Sequence, residues 1–253
     1  MSVKEKIQKG LCELGVKRGD LLLIHSSYKS LGEIEGGASA FFDAVISYLG
    51  EEGTLVLPAF SFGTVGKENP HFNRLTTPSC VGYLTEYFRA RVPGVLRSMH
   101  ATHSLAARGR LAEELVCDHY LDETPVGKNS PLAKLPQYNG KILFLGCSTD
   151  RNTSMHGVEE LCTPPYLFLP ERTTYYLLDG EGGCIERESL CHNFVVNGKH
   201  IDQRYSRIAE LLPEDKIKRG KILDADCVLM DSAAVWEIGA ARLAEDPYYF
   251  VEI

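Results

Sequence analysis

Residues 21–57 read LLLIHSSYKSLGEIEGGASAFFDAVISYLGEEGTLVL, and the fold class turns on this stretch. Leu21-Leu22-Leu23-Ile24 is a continuous apolar run bounded by polar residues, the pattern of a short strand buried on both faces. His25-Ser26-Ser27 follows at once, and a glycine-containing loop runs on to Gly36-Gly37. From Ser39 to Leu49 the residues Phe41, Phe42, Val45, Ile46 and Leu49 recur at helical spacing. Gly50 to Gly53 turns the chain, and Thr54-Leu55-Val56-Leu57 is a second buried strand. Strand, loop, helix, strand predicts an α/β sheet with helices on its faces. In such sheets, ligand sites form outside the carboxyl ends of the strands, which draws attention to the polar residues after Ile24.

The flanking segments continue the alternation. Residues 2–14 carry Val3, Ile7, Leu11 and Leu14 on one helical face. Residues 60–80, rich in Phe, Gly, Asn, Pro and Thr, are expected to form a long surface loop, and Val81 to Arg91 a helix. Lys141 to Leu145 is a third buried strand. Thr173 to Leu178 and Cys184 to Arg187 suit a hairpin around the glycines of 179–183. Tyr205 to Leu212 reads as a helix, Cys227 to Met230 as a short strand and Ser232 to Leu243 as a last helix. No repeat, low-complexity tract or linker interrupts the chain, so residues 1–253 are expected to form a single domain.

Hydrophobic residues make up 44% and charged residues 24%, the balance of an ordinary globular protein rather than a disordered one. No apolar run approaches the roughly 18–20 residues that span a bilayer. The charged N-terminus lacks a signal-peptide core, so a cytoplasmic protein without a membrane partner is expected. A net charge of -7 argues against nucleic acid, which needs a basic face, and suits a cationic small molecule. None of the eight cysteines forms a CxxC pair, which argues against a structural zinc site of the usual spacing.

Three polar clusters carry candidate chemistry. The first is His25 to Gly32 with Glu35-Gly36-Gly37-Ala38. A strand end, hydroxyls, glycines and a helix N-terminus suit an anion cradle, although neither a P-loop nor a GxGxxG is present. The second is RSMHATHS at 97–104, where His100 and His103 suit either metal ligation or backbone hydrogen bonds. The third is GCSTDRNTSMHGVEE at 146–160. A helix there puts His156 and Glu159 at i and i+3, so that the carboxylate holds one ring nitrogen while the other faces a substrate. A purely structural histidine satisfies the same spacing.

Together these stretches resemble the aminoglycoside 3-N-acetyltransferase family. The matching segments are LLIHSSYKSLGEIEGGA at 22–38, EGTLVLPAFSF at 52–62, RSMHATHSLAARG at 97–109, ETPVGKNSPLAKL at 123–135 and KILFLGCSTDRNTSMHGVEE at 141–160. The resemblance runs along most of the chain, is strongest before residue 165, and departs from the family pattern at Ala101, where family members typically carry proline. It implies a three-layer α/β/α sandwich around a mostly parallel or mixed sheet, with acetyl-CoA as co-substrate and no metal. It implies that His156 and Glu159, with Thr153 at the start of the TxxHxxE motif, line the reaction centre. It also implies that His25, Ser26, Ser27, Ser30, Leu31, Gly32, Gly36, Gly37 and Ser104 belong to the donor site.

An aliphatic amine is mostly protonated near neutral pH, and an imidazole with an ordinary pKa near roughly 6.5 suits the removal of its proton. Direct transfer in a ternary complex is therefore expected, rather than a covalent route through Cys147. Thr153 or backbone N–H groups are candidate oxyanion donors. Asp122, Glu123, Asp150 and Glu160 are the carboxylates expected to attract a cationic amine. Two rival readings are a metal-dependent hydrolase built on His100, His103 and His156, and a non-catalytic CoA-binding homologue. Nothing in the sequence excludes a homo-oligomer.

Overall fold

The computed structural model describes residues 1–253. In chain order the elements are α1 (Val3–Glu13), β1 (Leu21–Ser26), α2 (Gly37–Leu49), β2 (Thr54–Pro58), β3 (His71–Asn73), α3 (Tyr83–Arg91), β4 (Leu96–Arg97), β5 (Leu105–Gly109), α4 (Ala112–Val116), α5 (Pro131–Lys134), β6 (Lys141–Leu145) and α6 (Met155–Cys162). They continue with β7 (Phe168–Leu178), β8 (Cys184–His192), β9 (Val195–Val196), β10 (Lys199–His200), β11 (Asp202–Gln203), α7 (Ile208–Leu211), β12 (Ile217–Ile222), β13 (Ala225–Asp231), α8 (Ser232–Glu245) and β14 (Val251–Glu252).

Seven strands form one mixed sheet in the order β12-β13-β6-β1-β2-β5-β4. Its centre is parallel: β1 pairs with β2 through Leu22↔Leu55 and with β6 through Ile24↔Leu143. The other neighbours are antiparallel. The central strands β1, β2 and β6 are largely apolar on both sides because both faces are covered. Leu22, Ile24, Leu55, Leu57, Leu143 and Leu145 pack with Ile7, Leu11, Phe41, Phe42, Val45, Leu84 and Phe88 of α1, α2 and α3. The alternate residues Leu21, Leu23, Val56, Ile142 and Phe144 pack with Leu115, Leu132, Met155, Val158, Val235 and Leu243 of α4, α5, α6 and α8. This period-2 division is the α/β/α sandwich that the resemblance implied.

Several expectations change in detail. The 60–80 segment is not structureless, since β3 pairs in parallel with β7 and makes a second sheet, β3-β7-β8. The hairpin is longer than the sequence indicated, because β7 and β8 remain paired from Phe168↔His192 to Leu178↔Cys184. Residues 205–212 form a short 3-10 turn and the four-residue α7, not one helix. No helix is long and apolar enough to cross a membrane.

The strand order reverses at β1, since the chain steps to β2 on one side and later to β6 on the other. A crevice therefore opens at the carboxyl ends of these strands. Ser30 ties its walls together: its Oγ lies 3.0 Å from Ser27 Oγ and donates to Gly146 O at 2.8 Å. The second sheet supplies the remaining wall, anchored where Leu190 N–H and Ser189 O–H donate to Glu123 O.

Candidate active site

The N-terminal turn of α6 sets the chemistry. His156 and Glu159 lie one turn apart and are buried at 6% and 1% exposure. His156 Nδ1 stands 3.3 Å from Glu159 Oε2. A carboxylate only accepts, so this contact assigns the proton to Nδ1 and leaves Nε2 with a lone pair. Two tyrosines from distant elements hold the carboxylate. Tyr205 O–H donates to Oε2 at 2.6 Å and lies 3.0 Å from His156 Nδ1, and Tyr166 O–H donates to Oε1 at 2.8 Å. Burial pushes the Glu159 carboxyl up, but the hydrogen bond and charge of His156 and the two tyrosines pull it further down, to below its ordinary value. Glu159 is thus a buried anion with three donors.

His156 faces a cavity of about 1440 Å³, lined on one side by His25, Ser26, Ser27, Tyr28 and Lys29 and on the other by Arg172, Tyr175 and His192 of the second sheet. Single small-molecule sites run to about 300–1,000 Å³, so this one has room for two reactants. Thr153 and Asp150 also line it, and Thr153 Oγ1 is buried without a hydrogen-bond partner. His25 stacks on Phe144 with centroids 5.3 Å apart, and its Nε2 is likewise unpartnered. Burial lowers His25 to about 3, so it is neutral. Burial, with neighbouring imidazoles, also takes His103 and His192 well below the ordinary value. Cys147 lines the cavity, but burial raises its thiol to about 11, which leaves little thiolate for covalent chemistry.

Not every residue singled out from the sequence reaches the cavity. Leu31 is buried in the core beneath α2. Gly32 is a glycine because its φ is 74° and the Asp224 carboxylate occupies the space a Cβ would need. Gly36 and Gly37 start α2 at φ 81° and 62°, with Gly37 packed behind the Tyr28 hydroxyl that lines the cavity. Ser30 clamps Ser27 to Gly146, and Ser104 donates to Ala59 O at 2.8 Å while accepting from Arg97. These residues support the walls of the cavity.

Two of the acidic residues make their contacts off the cavity lining. Asp122 accepts from Asn129 N–H and its side-chain amide, closing a loop. Glu160 accepts from Val126 N–H at 2.7 Å and from His192 Nε2 at 2.8 Å, joining α6, a loop and β8. Glu123 is exposed and paired with Arg172. Asp150 alone of the four lines the cavity, and Glu171, not anticipated, joins it. His100 turns away to accept from Thr102 N–H and His103 N–H. Sequence reasoning missed Tyr166, Tyr205 and His192. Each lies after residue 165 on a separate element, and no spacing rule links them to α6.

A mixed sheet with a buried histidine–carboxylate pair beside a switch-point cavity large enough for two reactants has the form of an enzyme active site. Comparison with known proteins gives the reaction. The family model described as aminoglycoside 3-N-acetyltransferase matches residues 23–244. Aminoglycoside N(3)-acetyltransferase IV from Salmonella sp is 31% identical over 244 residues, covering 95% of this chain and 87% of that protein. Among solved structures, AAC-IIIb in binary complex with CoASH superposes with a TM-score of 0.80 at 27% identity, covering 96% of each chain. A histidine-to-alanine mutant of AAC(3)-IVa in complex with a gentamicin superposes at 0.79 and 28% identity, covering 98% of this chain and 90% of that one. The chain belongs to the aminoglycoside 3-N-acetyltransferase family, and is an enzyme that takes acetyl-CoA as co-substrate.

Proposed function

We propose that this chain, working as one domain, transfers the acetyl group of acetyl-CoA to an amine of an aminoglycoside or related amino sugar, with His156 as the general base. The observation that carries this reading is His156 itself: one nitrogen is tied to the Glu159–Tyr205–Tyr166 network and the other opens toward the large cavity. The network sets the tautomer and stabilises the cation that forms when the imidazole accepts a proton, as general-base catalysis requires.

In this reading His156 Nε2 takes a proton as the amine nitrogen attacks the thioester carbonyl. The C–N bond forms, the C–S bond breaks, and the sulfur leaves as the thiol by taking the proton back from the His156 imidazolium. Thr153 Oγ1, buried without a partner, is the favoured donor to the developing oxyanion. The cavity also fits both reactants by charge. Lys29, Lys67, Arg151 and Arg172 suit the phosphates of acetyl-CoA, while Asp150 and Glu171 suit the ammonium groups of the acceptor. The AAC-IIIb complex with CoASH and the AAC(3)-IVa complex with a gentamicin support the same pairing of ligands.

The test is His156→Ala assayed for thiol release from acetyl-CoA against a panel of amines that includes aminoglycosides. Turnover is expected to vanish while calorimetry still detects acetyl-CoA binding. Near-normal turnover removes His156 from its role.

A further inference from the structure

Three imidazoles converge beside the N-terminal turn of α6. His103, His156 and His192 each offer one ring nitrogen, and the three atoms lie within 4.8 Å of one another. The residues come from three separate parts of the chain, the 100–104 turn, α6 and β8, and all are buried. The second nitrogen of each ring already has an oxygen partner. His103 Nδ1 is 2.8 Å from Thr102 Oγ1, His156 Nδ1 is held by Glu159 and Tyr205, and His192 Nε2 is 2.8 Å from Glu160 Oε1.

That leaves His103 Nε2, His156 Nε2 and His192 Nδ1 as the converging set. His192 Nδ1 is buried without any hydrogen-bond partner, on a residue only 7% exposed. Metal-ligating histidines are typically gripped from behind in this way, a carboxylate or hydroxyl fixing the ring while its free nitrogen aims at the ion. Three such ligands with a fourth position open to a cavity is the arrangement of an open zinc site. With Zn–N bonds of about 2.0–2.1 Å, tetrahedral donors stand about 3.4 Å apart, so ring rotations of about 1 Å complete the coordination. All three residues line the cavity, which supplies the entry path.

We propose that His103, His156 and His192 bind one divalent transition-metal ion, with Zn²⁺ the best match, and that the bound ion switches acetyl transfer off. The ion takes the same lone pair on His156 Nε2 that would accept the amine proton, so metal and catalysis exclude each other. The binding stands on the geometry alone; the inhibition rests on the reading of His156 as the base. Imidazole suits Zn²⁺, Cu²⁺ and Ni²⁺ over Mg²⁺ and Ca²⁺, so the latter two should leave the enzyme active.

The experiment uses full-length protein stripped with EDTA and titrated with Co²⁺ as a visible probe, then with Zn²⁺ in competition. One Co²⁺ per chain is expected, with tetrahedral-type absorption and no thiolate-to-cobalt charge-transfer band. Zn²⁺ should displace it. His103→Ala and His192→Ala should each weaken binding by at least roughly tenfold, with His192→Gln as the milder replacement if the alanine variant does not fold. Thiol release should fall as Zn²⁺ fills the site and return with EDTA. Absence of Co²⁺ binding, or binding undiminished in the variants, would overturn the site. Binding that leaves turnover intact would overturn the inhibition, and with it the role of His156 Nε2 as base, while the metal site itself would stand.

Discussion

Replacing Glu159 by Gln tests the centre of the proposed mechanism with almost no change in shape. The carboxylate is 1% exposed and accepts from His156 Nδ1 at 3.3 Å, Tyr205 at 2.6 Å and Tyr166 at 2.8 Å. Gln keeps one accepting oxygen and puts an NH₂ in place of the other. If the NH₂ faces His156, the imidazole must accept at Nδ1, and the proton moves to Nε2, the nitrogen that should be the base. If the amide flips, the tautomer survives but the negative charge does not. Full charges 3.3 Å apart attract by roughly 5 kcal/mol at an effective dielectric constant of about 20. A proton about half transferred in the transition state claims about half of that, ~2.5 kcal/mol, which is close to a hundredfold in rate.

The expected result is therefore a fall of about 100-fold in kcat/KM for thiol release, with the acetyl-CoA Kd unchanged within about twofold, since Glu159 does not line the large cavity. Tyr205→Phe keeps the charge and removes one charge-assisted hydrogen bond, so it should cost about tenfold. A thermal melt establishes that each variant is folded. A folded Glu159→Gln enzyme that retains kcat/KM within about threefold refutes the reasoning, because no base relying on that anion could survive its loss so lightly.

Three further outcomes follow from particular residues. Cys147, its thiol raised to about 11, should alkylate with iodoacetamide at pH 8 far more slowly than exposed Cys80 or Cys184, and incubation with acetyl-CoA alone should leave the protein mass unchanged; a stable acetyl adduct on Cys147 would restore the covalent route. His25 is held near 3 in the fold against 6.5 for the free group, so the unfolded chain binds the extra proton below pH 6.5 and stability is lost as pH falls from there toward 3. The His25 share of that loss should be about 2 kcal/mol between pH 7 and pH 5, and a His25→Asn variant should show a urea-unfolding pH dependence shallower by that amount. Gly157→Ala would drive a Cβ into the Trp236 indole and to 2.8 Å from Val126, so it should destabilise by about 1–3 kcal/mol and slow turnover by shifting α6; an unchanged melting temperature would show that the contact yields freely.

The parts of this molecule that were legible in its sequence are those in which a local period reports a local fact. Leu21–Ile24, Leu55–Leu57 and Ile142–Leu145 are apolar throughout because helices cover both faces, and that shows in any single strand. His156 and Glu159 were legible because one helical turn joins them. By contrast, β5 is made of Leu-Ala-Ala-Arg-Gly and has no strand-forming bias; it is a strand because Val56↔Ala107 and Leu57↔Ala106 pair across the sheet. The second sheet depends on His71↔Tyr176, a pairing more than a hundred residues long in sequence. The Gly32–Gly37 loop is ambiguous for a different reason: glycines needed for positive φ and close packing look the same in sequence as glycines that cradle a phosphate.

Charge carries the same lesson further. A net charge of -7 suggested a site that attracts cations, yet the cavity wall holds Lys29, Lys67, Arg151 and Arg172 against only Asp150 and Glu171. The two facts agree once the reaction is considered. In the proposed ternary complex an anionic donor and a cationic acceptor are held at once, so the walls carry both signs and their sum says little about either ligand. What separates the two is the position of each charge around His156, and position comes from which elements the fold brings to the crevice. Asp122 and Glu160 make the point: as residue types they were as good candidates as Asp150, but the first closes a loop, the second braces Val126 and His192 through Oε1, and of the three only Asp150 lines the cavity.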